Sequence, residues 1–201
     1  MPRPFTETER EEIRAALIAT ARTHFGNRGY RKVNVAEIAR EAGIGKGSVY
    51  LFFDSKASLF MAVAEVVEVE VREAYVRASA ELSLPTARDR LKHLLSFHGQ
   101  ALDRDPFLQV ALDPEETGGI FGETPPSVSE AHRRADVAFF EQLLASWKRE
   151  GVEHTIDASL LTSAVRALFI VLLNRELIGS DRITQVFDVL ADGVARTLTQ
   201  E

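Results

Sequence analysis

Hydrophobic residues recur along most of the chain with the spacing of an amphipathic helix. In the first such segment, apolar residues stand four positions apart at Ile13, Leu17 and Ala21, which places them on one helix face. Strict alternation, the mark of a half-buried strand, occurs only at residues 66–71, where a longer helical pattern overrides it. The pattern therefore predicts an all-α protein.

Residues that cap helices divide this pattern into separate elements. Thr8 is followed three positions later by Glu11, the spacing of a capping box at a helix start. Asn34 and Glu37 repeat that spacing before a second, shorter helix. The predicted helices cover residues 8–25, 34–42, 46–52, 56–81, 86–104, 129–149, 157–178 and 181–199. The Gly- and Pro-rich residues 113–127 are predicted to form the one long loop.

Two short predicted helices, at residues 34–42 and 46–52, are joined by a glycine-containing turn and have the arrangement of a helix-turn-helix motif. The second begins with Lys46, Gly47 and Ser48, a small, polar and basic surface suited to entering a major groove. Gly47 and Ser48 weaken a helix without contributing to a core. Spacing alone also fits a helical hairpin inside an all-α core, and this alternative stays open.

Charge is unevenly distributed along the chain, whose formal net charge is −6. Residues 1–56 hold ten Lys/Arg and seven Asp/Glu, which makes this segment +3 and leaves −9 for the remainder. A basic N-terminal segment on an acidic body adds to the argument for a nucleic-acid partner.

Composition excludes several classes of protein. The absence of cysteine excludes disulfide scaffolds, zinc–cysteine sites and thiol catalysis. The longest apolar run, residues 167–173, is shorter than the ~20 residues of a membrane span, and the N-terminus has no signal-peptide pattern. We therefore expect a soluble cytoplasmic protein without a membrane partner.

No enzymatic, metal-binding or cofactor-binding set is found in the sequence. No Ser/His/Asp or paired-carboxylate arrangement can be assembled, and the five histidines lack metal-ligand spacing. The glycines at residues 43–47 lack the spacing of a nucleotide-binding loop. His98 stands among leucines on one predicted helix face, and is either a core histidine or a polar anchor in a ligand pocket.

Many residues between Glu9 and Phe60 match one known family at fixed spacings. They are Ile13, Ala16, Phe25, Gly29, Tyr30, Val35, Ile38, Ala39, the run from Ala42 to Tyr50, the run from Phe52 to Lys56, Leu59 and Phe60. In this pattern the chain resembles the DNA-binding domain of TetR-family transcriptional regulators. It departs from the family at Gly45, where a Ser or Thr cap is usual, and at Asn34, where Thr or Ser is usual.

The resemblance implies an N-terminal three-helix helix-turn-helix DNA-binding head at residues 1–55. The head would continue through the linking helix 56–81 into a larger helical ligand-binding and dimerisation domain at residues 56–201. A homodimer would bind a palindromic operator in double-stranded DNA and act as a repressor. A small hydrophobic effector would release the dimer from the operator. The alternative is a helical small-molecule-sequestering or protein-docking module without sequence-specific DNA binding. Neither function is enzymatic.

The resemblance also assigns DNA contacts, to Asn34, Lys46, Gly47, Ser48, Tyr50 and Lys56. Lys46 and Ser48 are expected to reach base edges or nearby phosphates. Asn34 and Tyr50 are expected to donate to phosphates, although Tyr50 could instead pack as a half-buried ring on the first helix. Lys56 begins a helix, where a cation is electrostatically disfavoured, and is therefore expected to face a phosphate.

The resemblance implies, finally, a ligand pocket and a dimer interface in the second half of the chain. The pocket candidates are mostly aromatic and favour a hydrophobic or aromatic effector: His98, Phe107, Phe121, Phe139, Phe140, Trp147 and Leu168. Helix 157–178 is apolar nearly all round and must be covered on two sides, one of them by a second subunit. The interface candidates are Leu160, Ala164, Val171, Ile183, Phe187, Leu190 and Val194.

Overall fold

The computed structural model describes residues 5–113, 115–116, 118, 120 and 126–200. Across these residues the regular structure is helical and contains no strand, which confirms the all-α prediction. No helix in the same ranges is both long enough and apolar enough to cross a bilayer. The chain forms two compact units: unit 1 falls within residues 1–70 and 105–124, and unit 2 within residues 71–104 and 125–201.

The helices are named here in chain order. They are α1 (Glu7–Lys32), α2 (Val35–Glu41), α3 (Lys46–Val49), α4 (Lys56–Ala80), α5 (Ala87–Arg104), α6 (Pro106–Leu112), α7 (Pro126–Arg149), α8 (Ala158–Leu173), α9 (Arg175–Ile178) and α10 (Ile183–Thr199). Glu115, Glu116, Gly118 and Ile120 are helical as well. The loop predicted over residues 113–127 is therefore wrong at these positions and at the start of α7.

The ends of α1 differ from those predicted. Its capping box is formed by Thr6 and Glu9, since the Glu9 N–H donates to the Thr6 hydroxyl at 3.3 Å and the Thr6 N–H to the Glu9 carboxylate at 2.8 Å. The predicted start at Thr8 is therefore wrong by half a turn. The helix also continues to Lys32, with non-helical backbone at Gly29, whose φ of 77° favours glycine.

An aromatic cluster forms the core of unit 1. Phe25 and Tyr30 of α1 pack against Phe60 of α4, with ring centroids 5.0 and 5.4 Å from that of Phe60. Phe107 of α6 completes the cluster at 4.9 Å from the Phe60 centroid. All four rings are at most 2% exposed. Phe107 is therefore a core residue of unit 1, which corrects its predicted place in a ligand pocket.

Helix α6 is held on α1 by charge and by close packing. Arg22 of α1 donates to Asp105, the N-cap residue of α6, at 2.6 Å, and to Glu70 of α4 at 2.7 Å. A methyl group at Gly26 would lie 3.1 Å from the α6 backbone, so glycine allows the two helices to approach. These contacts explain why unit 1 extends beyond the predicted head at residues 1–55.

Unit 2 is built on the apolar face of α5, where the leucines predicted to share one face are buried. Helix α10 packs closely on α5, since a methyl group at Gly99 would lie 2.8 Å from the ring of Phe187. Asp157 caps α8, accepting from the Leu160 N–H at 2.7 Å. The predicted helix 157–178 is interrupted at Asn174, and α10 begins after Arg182 without a side-chain cap, two residues later than the predicted start at 181.

Candidate nucleic-acid interface

Helices α2 and α3 form the helix-turn-helix arrangement of unit 1. Asn34 caps α2, its side-chain oxygen accepting from the Ala36 N–H at 2.9 Å, as its capping spacing predicts. The chain turns at Gly43, whose φ is 76°, and Gly45 precedes α3 without a side-chain cap. The structure therefore confirms the cap at Asn34 and the weaker start of α3.

Helix α3 is a short element anchored by one buried residue. Val49 is 1% exposed, whereas Lys46 and Gly47 are exposed and Ser48 is half-buried. Tyr50 follows the helix and is 48% exposed. The helix ends at Val49 and continues as a turn to residue 52, so it is shorter than the predicted 46–52. Its polar N-terminal surface is exposed to solvent.

Two arginines of α1 support the segment that follows α3. The Arg10 guanidinium lies 5.1 Å from the centroid of the Phe52 ring and donates to the Leu51 carbonyl at 3.4 Å. Arg14, one turn further along α1, lies 5.4 Å from the centroid of Phe53. Such cation–π contacts stabilise by about 0.5–1 kcal/mol at exposed sites. Sequence reasoning missed both arginines, although their spacing of four on one helix face was a usable signal.

Side-chain contacts join α1 to α2. Arg28 pairs with Glu37, and His24 Nε2 lies 2.8 Å from the Glu41 carboxylate. His24 is buried, whereas Glu41 is exposed. Within α3 itself, Lys46 is the cationic residue, and it is exposed.

Lys56 occupies an internal position rather than an outward-facing one. Its ammonium donates to the Tyr30 carbonyl at 3.0 Å, contacts the Val33 carbonyl at 3.5 Å, and lies 4.3 Å from the Tyr30 ring centroid. Both carbonyls belong to the C-terminal end of α1, where a cation is electrostatically favoured. In the free chain Lys56 therefore ties α4 to the end of α1, and its predicted phosphate contact stays a prediction.

We expect Lys56→Met to lower the free energy of unfolding by about 1–3 kcal/mol, because it removes charge-assisted hydrogen bonds and a cation–π contact while keeping an apolar stem. Urea denaturation followed by circular dichroism measures this loss. Lys32→Met, at an exposed lysine of the same region, is the matched control and should change stability by less than about 0.5 kcal/mol. Equal stability of the two variants would contradict the internal role.

The predicted pocket residues of unit 2 occupy different environments. Phe140 and Leu168 are core residues, 6% and 4% exposed. Phe139 is half-buried, with the Arg72 guanidinium 4.9 Å from its ring centroid. Trp147 is one wall of a cavity of about 280 Å³. The remaining candidate in the second half, Phe121, lies outside the described residues.

His98 is a neutral histidine inside unit 2. Its Nδ1 lies 2.8 Å from the Leu94 carbonyl, which can only accept, so Nδ1 carries the proton. The pKa of His98 is lowered to about 4, chiefly by burial and to a smaller extent by the charges of Arg72 and His93, while the bond to Leu94 opposes the shift. His98 therefore resists protonation in the folded chain.

A lowered folded pKa means that His98 binds a proton more readily in the unfolded chain. Its contribution to stability is present above the unfolded pKa near 6.5 and is lost as the pH falls toward 4. We expect the wild type to lose about 2–3 kcal/mol more unfolding free energy between pH 7 and pH 4 than His98→Gln. Denaturant titrations at both pH values measure the difference, and parallel losses would contradict it.

The predicted interface residues also divide into two groups. Leu160 and Leu190 are 55% and 39% exposed, and Ala164, Val171 and Val194 are half-buried. Ile183 and Phe187 are 8% and 6% exposed within the protomer's own core. These last two are therefore corrected to core residues, because the close approach of α10 to α5 covers them.

Comparison with known proteins places the motif in a family. The family model for bacterial regulatory proteins of the tetR family matches residues 17–63, which include α2, α3 and the start of α4. The HTH-type transcriptional regulator TtgR of Pseudomonas putida is 35% identical over 74 residues, 37% of this chain. The matched segment spans 35% of TtgR, so this chain matches about a third of that relative's length.

Two further comparisons extend over most of the chain. The HTH-type transcriptional regulator AcrR of Shigella flexneri is 29% identical over 159 residues, covering 78% of this chain and 70% of AcrR. The crystal structure of a TetR-family regulator from Pectobacterium atrosepticum superposes with a TM-score of 0.72 at 24% identity, covering 98% of this chain and 99% of that one. The latter shows a shared fold. Together with the motif geometry of α2 and α3, these comparisons show that residues 17–63 match the family model for tetR-family bacterial regulatory proteins, and that the chain shares the fold of a TetR-family regulator of known structure.

Proposed function

We propose that the protein is a transcriptional repressor that binds operator DNA through α2 and α3 and is released by a small-molecule effector bound in unit 2. The observation that carries the proposal is the exposed, polar start of α3, with Lys46 and Gly47 outward and Val49 buried beneath them. A helix that served only as packing would gain nothing from these exposed residues. The proposal requires the protein to share a compartment with its operator.

Each residue of this surface has a chemical role in DNA recognition. Lys46 donates to the O6 and N7 acceptors of guanine or to an adjacent phosphate, and Ser48 donates to or accepts from a base edge. Gly47 carries no side chain and lets the backbone approach the duplex. Asn34 and Tyr50 donate to phosphates, which set the register of the head without reading sequence.

A homodimer follows from the symmetry of such operators. Two heads related by a twofold axis read two half-sites about 34–36 Å apart, one turn of the duplex. Exposed leucines at Leu160 on α8 and Leu190 on α10 support an apolar contact between protomers, since α8 is apolar beyond the face that its own core covers. Ala164, Val171 and Val194 complete the proposed surface.

Release by an effector requires a difference in affinity between two states of the dimer. The effector must bind the conformation that does not fit DNA more tightly, by about 1.4 kcal/mol for each tenfold loss of operator affinity. A sequestering or docking module would bind its ligand without this coupling. The two functions therefore differ in whether DNA and ligand affect each other's binding.

The test is a selection of bound sequences from a random duplex library with the full chain. We expect enrichment of a single motif with twofold symmetry, and affinity for it that falls steeply with added salt because phosphate contacts release counterions. A library that shows no enriched motif after repeated rounds would overturn the proposal and favour the module without sequence-specific DNA binding.

A further inference from the structure

Unit 2 contains a cavity at the C-terminal end of α4. It has a volume of about 280 Å³, and its walls come from α4, the segment that leads into α5, and α7. The polar groups and rings that face it are Tyr75, Ser79, Arg90, Ser146, Trp147 and Glu150. Small-molecule sites typically measure about 300–1,000 Å³, so this cavity suits a compact compound of one ring or two.

Arg90 is held rigidly at one side of the cavity. Its Nε donates to the Leu84 carbonyl at 3.0 Å, and its Nη1 donates to the Glu150 carboxylate at 2.6 Å. The guanidinium carbon also lies 6.0 Å from the centroid of the Trp147 ring. Because a guanidinium has five N–H donors, this arrangement leaves three for a ligand. The Arg90 side chain is only 16% exposed, so its donors are fixed before a ligand arrives.

Two serines offer acceptors in the same cavity. The Ser79 hydroxyl donates to the Tyr75 carbonyl, and the Ser146 hydroxyl donates to the Leu143 carbonyl, both at 2.7 Å. Since each proton is used within the helix, the hydroxyl oxygens can accept from a ligand. Burial raises the pKa of Tyr75, which keeps its phenol neutral. The lining thus includes both hydrogen-bond donors and hydrogen-bond acceptors.

The charges in the cavity select against an ionic ligand. Arg90 and Glu150 form a pair, so the site carries no net charge from these two groups. An anion that approached Arg90 would also meet the Glu150 carboxylate, and a cation that approached Glu150 would meet the guanidinium. A neutral group that both donates and accepts hydrogen bonds is repelled by neither the Glu150 carboxylate nor the Arg90 guanidinium. Trp147, which is 3% exposed in the free chain, adds an apolar part of the lining.

We infer that this cavity binds a neutral aromatic compound with a hydroxyl group, of the phenol class, and that this compound is the effector of the proposed repressor. The phenol hydroxyl accepts from Arg90 and donates to Ser146, while the ring lies against Trp147. The inference about the effector rests on the proposed function. The binding itself does not, and can be measured without DNA.

The single tryptophan of the chain reports occupancy of the cavity directly. The probe is 4-propylphenol, and the full chain is excited at the red edge of tryptophan absorption, where phenols do not absorb. We expect saturable quenching by 4-propylphenol, and at least tenfold weaker binding of 4-propylbenzoate, 4-propylbenzylamine and 4-propylanisole. The first two analogues carry a charge and the third cannot donate. Equal binding of the charged analogues, or no tryptophan response, would overturn the inference.

Variants test which side chains bind the probe. Ser146→Ala removes one acceptor with little change in packing and should weaken 4-propylphenol severalfold, while Arg90→Gln should weaken it at least tenfold. Arg149→Gln, at an exposed arginine outside the cavity, is the matched control and should bind as the wild type does. Circular dichroism of each variant checks that the fold is intact, and Ser146→Ala keeps the test valid if Arg90→Gln unfolds. Unchanged affinity in Ser146→Ala would contradict the proposed hydroxyl contact.

Measuring operator affinity with and without the phenol distinguishes a wrong effector assignment from a wrong proposed function. On a selected operator, saturating 4-propylphenol should lower the affinity of the wild type at least tenfold and leave that of Arg90→Gln unchanged. Quenching without any change in operator affinity would overturn the effector assignment while operator binding itself stood. A chain that selected no operator but bound the phenol would overturn the proposed function instead.

Discussion

Lys46→Ala and Tyr50→Ala will each abolish selective operator binding while helicity and dimerisation remain those of the wild type. Both residues are exposed on or directly after α3, so neither substitution opens a cavity. A base or phosphate contact contributes about 1–3 kcal/mol to specific binding. A symmetric dimer loses the contact twice, so the total loss is about 2–6 kcal/mol, or about 30-fold to 25,000-fold in affinity. Fluorescence anisotropy with labelled operator measures the loss.

The matched control for Lys46 is Lys148→Ala, which removes an equal charge from an exposed position on α7. It should leave operator affinity within a factor of two or three, because its charge lies in unit 2 and touches no phosphate in the proposed complex. A loss in Lys148→Ala as large as that in Lys46→Ala would show that net charge, rather than the surface of α3, governs binding.

Phe107→Ala will lower the free energy of unfolding by about 3–5 kcal/mol, the range for truncating a buried phenylalanine. The ring is 1% exposed, and its centroid lies within 6.5 Å of those of Phe25 and Phe60. Its loss leaves a cavity between α1, α4 and α6 that these rings cannot fill without moving. Denaturant titration followed by circular dichroism measures the effect.

Phe5→Ala is the control for this loss, since Phe5 is 37% exposed at the N-terminal end of unit 1. It should change stability by less than about 1 kcal/mol. A similar small loss in Phe107→Ala would mean that α6 contributes little to unit 1, contrary to its observed contacts with Arg22 and the α1 backbone.

The periodicity of apolar residues was sufficient to predict the helical class and most helix positions, because burial of one face decides both. Exact starts were less predictable. Thr6 with Glu9 and Thr8 with Glu11 overlap in the sequence, and both have the spacing of a capping box. Only the structure distinguishes them, since the longer helix gains backbone hydrogen bonds from half a turn more.

The role of Lys56 could be predicted only in part. Because a cation is electrostatically disfavoured at the start of a helix, the sequence indicated that Lys56 contacts some hydrogen-bond acceptor. The structure shows such acceptors. Its acceptors are carbonyls of Tyr30 and Val33, more than 20 residues earlier in the chain. Local sequence does not show that these carbonyls lie near Lys56. It therefore could not distinguish a carbonyl acceptor from a phosphate acceptor.

Aromatic residues in the second half posed the same difficulty. Phe107, Phe187 and Trp147 all lie on helices with apolar faces, yet the first two belong to the cores of the two units, whereas Trp147 borders the cavity at the end of α4. Gly99 was the overlooked signal for Phe187, because a glycine on the buried face of α5 allows a ring to approach closely. Conversely, Arg90 and Glu150 are 60 residues apart, and no local pattern predicts their pairing.

The most direct measurement uses the absence of cysteine from the chain. Leu51→Cys, at a residue 60% exposed just after α3, provides a single attachment point for an iron chelate that cleaves nearby DNA. On the selected operator we expect two clusters of cleavage related by the twofold axis of the site, and no cleavage when the chelate is attached through Lys148→Cys. Uniform cleavage along the duplex, or equal cleavage from both positions, would contradict recognition through α3.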